Sequence, residues 1–298
     1  MKLQFNTPTP ITQCSFRGID FLLKRDDLIS KDFSGNKARK IEYLKDNFPK
    51  DIKCIVSYGS VQSNAMYSLA KFANLAGVGF RYYANHIPTY LKSFPEGNFK
   101  RALDLGMHLC EGYESIKIED NELFINEGVA IKEAYYGIKK LALELIEALD
   151  SKVEYQIFLP SGTGTTALFL SKAIKELNAN NLEVYTTACV GDSAYLQKQF
   201  LKLEKNKELF PTILESKKKY HFGKLYREFY HIWLELHKSC NVEFDLLYDP
   251  KGWITLLENI KIFDNLVYIH QGGALGNESM LKRYKYKFGD IYEDINKQ

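Results

Sequence analysis

Apolar positions along this chain alternate between short β-like runs and longer stretches with helical spacing. Residues 52–56, 79–84 and 107–110 read as strands of one unit, with helices starting at Ser63, Gly97 and Glu127 between or after them. Residues 155–159, 182–188, 244–247 and 266–269 read as strands of a second unit. The alternation predicts an α/β protein with open, mostly parallel sheets, whose ligand-binding turns lie at strand C-termini. Leu225, Phe229, Ile232, Trp233 and Leu236 fit one helical stripe, as core or subunit packing requires.

Two strand-to-helix turns carry candidate chemistry. Ser57-Tyr58-Gly59-Ser60-Val61-Gln62-Ser63-Asn64 follows the apolar run Cys54-Ile55-Val56 and precedes a helical face of Met66, Leu69, Ala70 and Ala73. Its N–H groups and hydroxyls sit at a helix N-terminus, which favours a carboxylate or a phosphate. Pro160-Ser161-Gly162-Thr163-Gly164-Thr165-Thr166 opens another helix and reads as a phosphate cradle, with glycines for close approach and hydroxyls as extra donors. It lacks both the Gly-Lys-Ser/Thr ending of a P-loop and the dinucleotide spacing of a Rossmann fingerprint. A nucleotide-binding α/β protein remains an alternative at this level.

Lys37 follows the dipeptide Gly35-Asn36 at the head of a helix-like run. A lysine there is ordinarily a solvated charge, and the chain has 40 Lys plus Arg. The amine can also form a Schiff base with an aldehyde cofactor and then take a proton from a bound amino acid.

Taken together, Lys24-Arg25-Asp26-Asp27, Gly35 to Leu44, Ser60 to Asn64, Gly97-Asn98, Ser161 to Thr165 and His270-Gln271-Gly272-Gly273-Ala274 resemble one family. It is the pyridoxal-phosphate (PLP) enzymes of the tryptophan synthase β type (fold type II), in the 1-aminocyclopropane-1-carboxylate (ACC) deaminase and D-cysteine desulfhydrase branch. The resemblance spans residues 24–274. It implies two open, mostly parallel twisted-sheet domains with the cofactor in the cleft: a large one of residues 1–43 and 155–298, and a smaller inserted one of 44–154. It also implies roles. Lys37 would carry the cofactor, and Asn64 would contact its ring hydroxyl. Ser63, with Gln62 and their turn, would receive the substrate carboxylate. Gly162, Thr163, Gly164 and Thr165 would hold the phosphate, and Gln271 would lie near the pyridine nitrogen. The implied activity is a lyase or deaminase of a small amino acid that releases a 2-keto acid and ammonia.

The departures bear on that activity. The branch carries one active-site tyrosine in a Tyr-Gly segment and another in D-P-V-Y-x-G-K. The first aligns with His221-Phe222-Gly223, and the second, read from Asp249-Pro250-Lys251-Gly252-Trp253, falls on Gly252 with Trp253 beside it. A positioned acid or base contributes about 10² to 10⁴ in rate, so loss of both hydroxyls motivates an alternative, a PLP protein that binds an amino acid without turning it over. Tyr58 and Tyr220 are candidates to replace a hydroxyl, against an ordinary packing role. Gln271 stands where the branch has threonine, which points to a modest electron sink and favours β-elimination over cyclopropane opening.

Composition adds exclusions. With 40 basic and 37 acidic residues interspersed, net charge is only +3, which makes no electrostatic case for nucleic acid. The five cysteines and six histidines show neither C-x-x-C pairs nor metal-ligand spacing, so reduced cytosolic thiols and no metal are expected. No run approaches the ~20 apolar residues of a membrane span, and residues 1–10 lack an apolar signal core, which favours cytoplasmic residence. Relatives of this type are usually homodimers.

Overall fold

The structure is a computed structural model that describes residues 3–289. Its larger sheet has six strands in the order β1-β2-β10-β7-β8-β9, with β1 Ile11–Phe16, β2 Ile19–Lys24, β7 Tyr155–Ser161, β8 Leu182–Ala188, β9 Thr212–Ile213 and β10 Leu266–Ile269. The β1–β2 hairpin is antiparallel, and every other pairing in the sheet is parallel. A second sheet of four parallel strands runs β5-β4-β3-β6, with β3 Cys54–Tyr58, β4 Gly79–Ala84, β5 Met107–Glu111 and β6 Glu122–Ile125. The helices are α1 Gly35–Asp46, α2 Asn64–Ala76, α3 Thr89–Ser93, α4 Gly97–Asp104, α5 Ala134–Ala148, α6 Thr165–Glu176, α7 Ser193–Leu203, α8 Arg227–Cys240, α9 Asp249–Glu258 and α10 Asn277–Lys287. Among the described residues no helix is long and apolar enough to cross a membrane.

The period of two along the central strands decides what each face of the large sheet buries. Phe158 and Tyr268 point into a core with Trp233 and Leu236 of α8 and Trp253 of α9. Their neighbours Ile157, Leu159, Val267 and Ile269 point the other way, onto Leu141 and Leu145 of α5 and Leu168 and Leu170 of α6. The smaller sheet buries Ile55, Phe80, Tyr82 and Ile125 against α1, α2 and α4.

Helix α1 lies between these cores. Ala38, Ile41 and Leu44 face the small-sheet core, whereas Arg39 turns to α5. The Arg39 guanidinium is fully buried and bonds Glu144 through Nη1 at 2.7 Å and Asp26 through Nη2 at 2.8 Å. Lys24 Nζ reaches the same Glu144 at 2.6 Å, and Thr9 Oγ1 donates to Asp26 at 2.7 Å. Two buried cations thus meet two carboxylates, which meets the condition under which such burial is tolerated.

Strands 79–84, 182–188 and 266–269 have the expected bounds. Residues 244–247 are not a strand. Side chains serve their N–H groups instead: Asn277 Oδ1 accepts from Leu246 N at 2.8 Å, and Asp245 Oδ1 accepts from Leu247 N at 2.7 Å. Nor does a helix start at Glu127. A short 3₁₀ turn, Glu127–Val129, interrupted by Gly128 at φ +71°, separates β6 from α5.

Candidate active site

The turns after β3, β7 and β10, all C-terminal ends of parallel strands, and the N-terminus of α1 carry the predicted site residues. Lys37 is partly buried in the first turn of α1 and donates from Nζ to Asn36 Oδ1 at 2.9 Å. Burial lowers its pKa to about 8, while the nearby Asp245 carboxylate pulls it upward. The amine therefore has a neutral fraction at physiological pH that a solvated lysine lacks.

Gln271 fixes the turn that presents Lys37. Its carbonyl oxygen accepts from Asn36 N at 2.9 Å, its Oε1 accepts from Asn36 Nδ2 at 3.2 Å, and its Nε2 donates to Pro160 O at 2.7 Å. One side chain thereby joins the head of α1 to the strand before the phosphate turn. Adjacent His270 is a structural imidazole: Nε2 meets Glu243 O at 2.9 Å and Nδ1 accepts from Gly272 N at 3.1 Å, while burial lowers its pKa.

Asn64 and Asp245 face each other across the two sheets. Asn64 Nδ2 lies 3.4 Å from Asp245 Oδ2, and Asn64 Oδ1 accepts from Asn98 Nδ2 at 2.8 Å, so the amide orientation is set from both ends. Burial pushes Asp245 up to about 6, against the N–H groups of Tyr248 and Leu247, which stabilise its charge. Ser63 caps α2 by accepting from Ala65 N at 3.1 Å. Gln62 turns its amide to Tyr90 on α3, at 3.1 Å.

The turn after β7 is built to leave donors free. The first α6 hydrogen bond is from Leu168 N to Gly164 O, so the earlier N–H groups of the helix lack a backbone acceptor within it. Thr166 Oγ1 is buried with no hydrogen-bond partner among the described residues. Thr163 and Thr165 hydroxyls lie 3.2 Å apart, whereas Ser161 Oγ is taken by Thr186 at 2.7 Å. Gly164 has φ +72°, and a Cβ there would lie 2.4 Å from Phe200 and 2.5 Å from Leu196. An orphaned buried hydroxyl, free helix-terminal N–H groups and a nearby lysine of lowered pKa fit a phosphorylated aldehyde.

The structure corrects the tyrosine register. Gly252 lies inside α9, packed toward Pro160 and the Tyr268 hydroxyl, and Trp253 is wholly buried, stacked on Tyr268 at 4.9 Å. Tyr248, just before α9, is the residue in the cleft: a Cβ on Gly162 would sit 3.4 Å from its hydroxyl. Started four residues earlier, the D-x-x-Y-x-x-K pattern falls on Asp245, Tyr248 and Lys251. That spacing was the available signal, and the Asp249-Pro250 dipeptide masked it. Phe222 packs on Tyr248 with ring centroids 5.3 Å apart. Tyr220 is buried in the large-sheet core, whereas Tyr58 ends β3 at the cleft. Burial raises the Tyr248 pKa, so its phenol keeps its proton at neutral pH. Asp245, Tyr248 and Asn36 are the site residues that sequence reasoning missed.

No family model matches the chain. Among solved structures, an ACC deaminase homologue superposes with a TM-score of 0.72 at 20% identity, covering 92% of this chain and 93% of that one. A hydrogen sulfide-producing enzyme from Fusobacterium nucleatum gives 0.62 at 11% identity, over 90% and 96% of the two chains. A pyridoxal 5'-phosphate-dependent aspartate racemase gives 0.62 at 14% identity, over 89% and 90%. The architecture of this chain is accordingly the fold type II architecture of PLP enzymes.

Proposed function

We propose that this protein is a PLP-dependent lyase or deaminase of a small amino acid with a β-leaving group, D-cysteine or a relative. The carrying observation is the Lys37 amine, held at lowered pKa beside the Asn64–Asp245 pair, with the un-ionised Tyr248 phenol against Gly162. When bound, PLP supplies an aldehyde for Schiff-base attachment and a conjugated ring that withdraws electrons from the substrate α-carbon. Gly162, Thr163, Gly164 and Thr165 would hold its phosphate, Lys37 its aldehyde carbon and Asn64 its ring hydroxyl. Gln271 keeps one N–H beyond its Pro160 bond to offer the ring nitrogen.

In this reading the Gln62–Ser63 turn, at the N-terminus of α2, orients the substrate carboxylate. Lys37, released from the cofactor, takes the α-proton and holds it as an ammonium opposite Asp245. Tyr248 gives its phenolic proton to the leaving group. For cysteine the balance is cysteine plus water to a 2-keto acid, ammonia and sulfide. ACC ring opening, which asks more of positioned hydroxyls, ranks second. The non-catalytic alternative loses part of its motive, because Phe222 replaces one tyrosine while Tyr248 supplies the other.

The same reading carries cytoplasmic residence, a homodimer, and domains of 1–43 with 155–298 and 44–154, although α5, inside the second range, packs its apolar face on the larger sheet. The test is the visible absorption of PLP-supplemented protein before and after D-cysteine, with Lys37→Ala as control. A Lys37-dependent band that shifts as keto acid appears is the expected result. Absence of any such band refutes the cofactor assignment, and a band with no product from a broad amino-acid screen refutes the lyase.

A further inference from the structure

Glu127 is an acidic group that the mechanism above does not use. It stands on the turn after β6, which is wedged between α1 and the phosphate turn. Lys40 Nζ donates to Gly128 O at 2.9 Å, and a Cβ on Gly128 would lie 2.8 Å from Thr163 Cγ2. The Glu127 side chain reaches the opposite turn, where a Cβ on Gly59 would come 2.8 Å from Oε1. Gly59 is three residues before Gln62, so this carboxylate borders the place where a substrate is received.

Its surroundings are aromatic. The charge of Glu127 is felt by the phenols of Tyr58, Tyr82, Tyr113, Tyr195 and Tyr248. Tyr58 packs on Tyr113 at 5.2 Å and stacks on Phe124 at 5.8 Å, which fixes one wall. Among the described residues the Glu127 carboxylate makes no hydrogen bond or ion pair, and burial disfavours its charge, with only Lys202 acting against that. A partly desolvated, unpaired carboxylate set among phenols lacks a cation.

We propose that Glu127 selects the substrate side chain by receiving an ammonium group, so that the preferred substrate is a small diamino acid with its second amine at the β-carbon. This rests on the PLP lyase reading and narrows it. The carboxylate accepts the ammonium N–H groups, and the neighbouring phenol oxygens, Tyr82 among them, add further acceptors. An anionic side chain is repelled, and a thiol gains little from an acceptor-only partner. The β-amine is then the leaving group. The Cα–H and Cβ–N bonds break, Lys37 takes the α-proton, and ammonia departs. With one water, 2,3-diaminopropionate gives pyruvate and two ammonia, with no oxidant or reductant.

The experiment titrates PLP-loaded wild type, Glu127→Gln and Glu127→Asp with both enantiomers of 2,3-diaminopropionate, of cysteine and of aspartate, reading apparent Kd from the Lys37-dependent band. The wild type is expected to bind one diaminopropionate enantiomer more tightly than cysteine, and aspartate weakest. Glu127→Gln is expected to weaken diaminopropionate by about 10- to 100-fold, the worth of a charge-assisted hydrogen bond, with a much smaller change for cysteine. Glu127→Asp keeps the charge and should keep the order of preference even if the amide variant folds poorly. Equal effects on diaminopropionate and cysteine, or none, with the band intact, overturn this assignment alone. A wild type with no Lys37-dependent band overturns the cofactor reading beneath it.

Discussion

Gly164→Ala isolates what the phosphate turn demands of the backbone and of the core behind it. Gly164 sits at φ +72°, and its Cβ would lie 2.4 Å from Phe200 Cε1 and 2.5 Å from Leu196 Cδ1, both fully buried side chains. The left-handed conformation costs a non-glycine residue about 1–2 kcal/mol. Forcing a methyl into a packed core adds about 1–3 kcal/mol. The sum is about 2–5 kcal/mol, a large share of the ~5–15 kcal/mol that usually stabilises a fold. Gly77→Ala separates the two terms, because Gly77 has the same φ of +72° and nothing within 4 Å of its Cβ. Urea unfolding of wild type and both variants, read as shifts in midpoint at constant slope, gives the values. Gly164→Ala should exceed Gly77→Ala by the packing term, and its affinity for PLP should fall because the donors of Thr163 and Thr165 are displaced. Equal destabilisation of the two variants would refute the packing argument, and unchanged PLP affinity would refute the assignment of this turn to phosphate.

Two further outcomes follow from the site. Tyr248→Phe should lower turnover by about 10² to 10⁴ while the Lys37-dependent band persists, and a variant with wild-type turnover would exclude the phenol as acid. Because burial lowers the Lys37 pKa from 10.5 to about 8, its neutral, nucleophilic fraction grows as pH rises through about 8. The rate of PLP incorporation into the cofactor-free protein should rise with that midpoint. Asp245→Asn removes the charge that pulls the pKa up and should move the midpoint lower, whereas a midpoint near 10.5 in wild type would show a solvated lysine.

Much of the frame is written locally. The run at 266–269 is apolar on both faces and that at 182–188 is buried on both except at Glu183, because helices cover both sides of the sheet, so periodicity and turn residues locate them. The hairpin β1–β2 has no such signal. Cys14, Ser15 and Asp20 dilute its pattern, and the sheet that pairs it comes from residues far along the chain. Residues 244–247 have strand composition, but Asp245 and Asn277 serve their N–H groups, a long-range arrangement that no window displays. Lys37, Asn64 and the 161–165 turn were legible because each stands at a strand or helix end with its own local signature. Glu127 and Asn36 were not, since their meaning comes only from what approaches them in space.

The position of α1 has a mechanical consequence. One face of the helix is seated among Ile55, Val61 and Met66 of the smaller unit, and the other is clamped to α5 through Arg39, with Gly137 close against the Arg39 carbonyl. The helix thereby ties the core of the smaller sheet to the helix layer that covers the larger one. Lys37 is on this rod, pinned at its head to Gln271. Elsewhere the two units meet through the 3.4 Å Asn64–Asp245 contact and through the ion pairs Arg101–Glu278 and Lys282–Glu96, at 3.0 and 2.6 Å. Through Gln271, the head of α1 and Pro160 near the end of β7 are held as one joint, so a displacement of either sheet must carry Lys37 and the Pro160–Gly164 turn together.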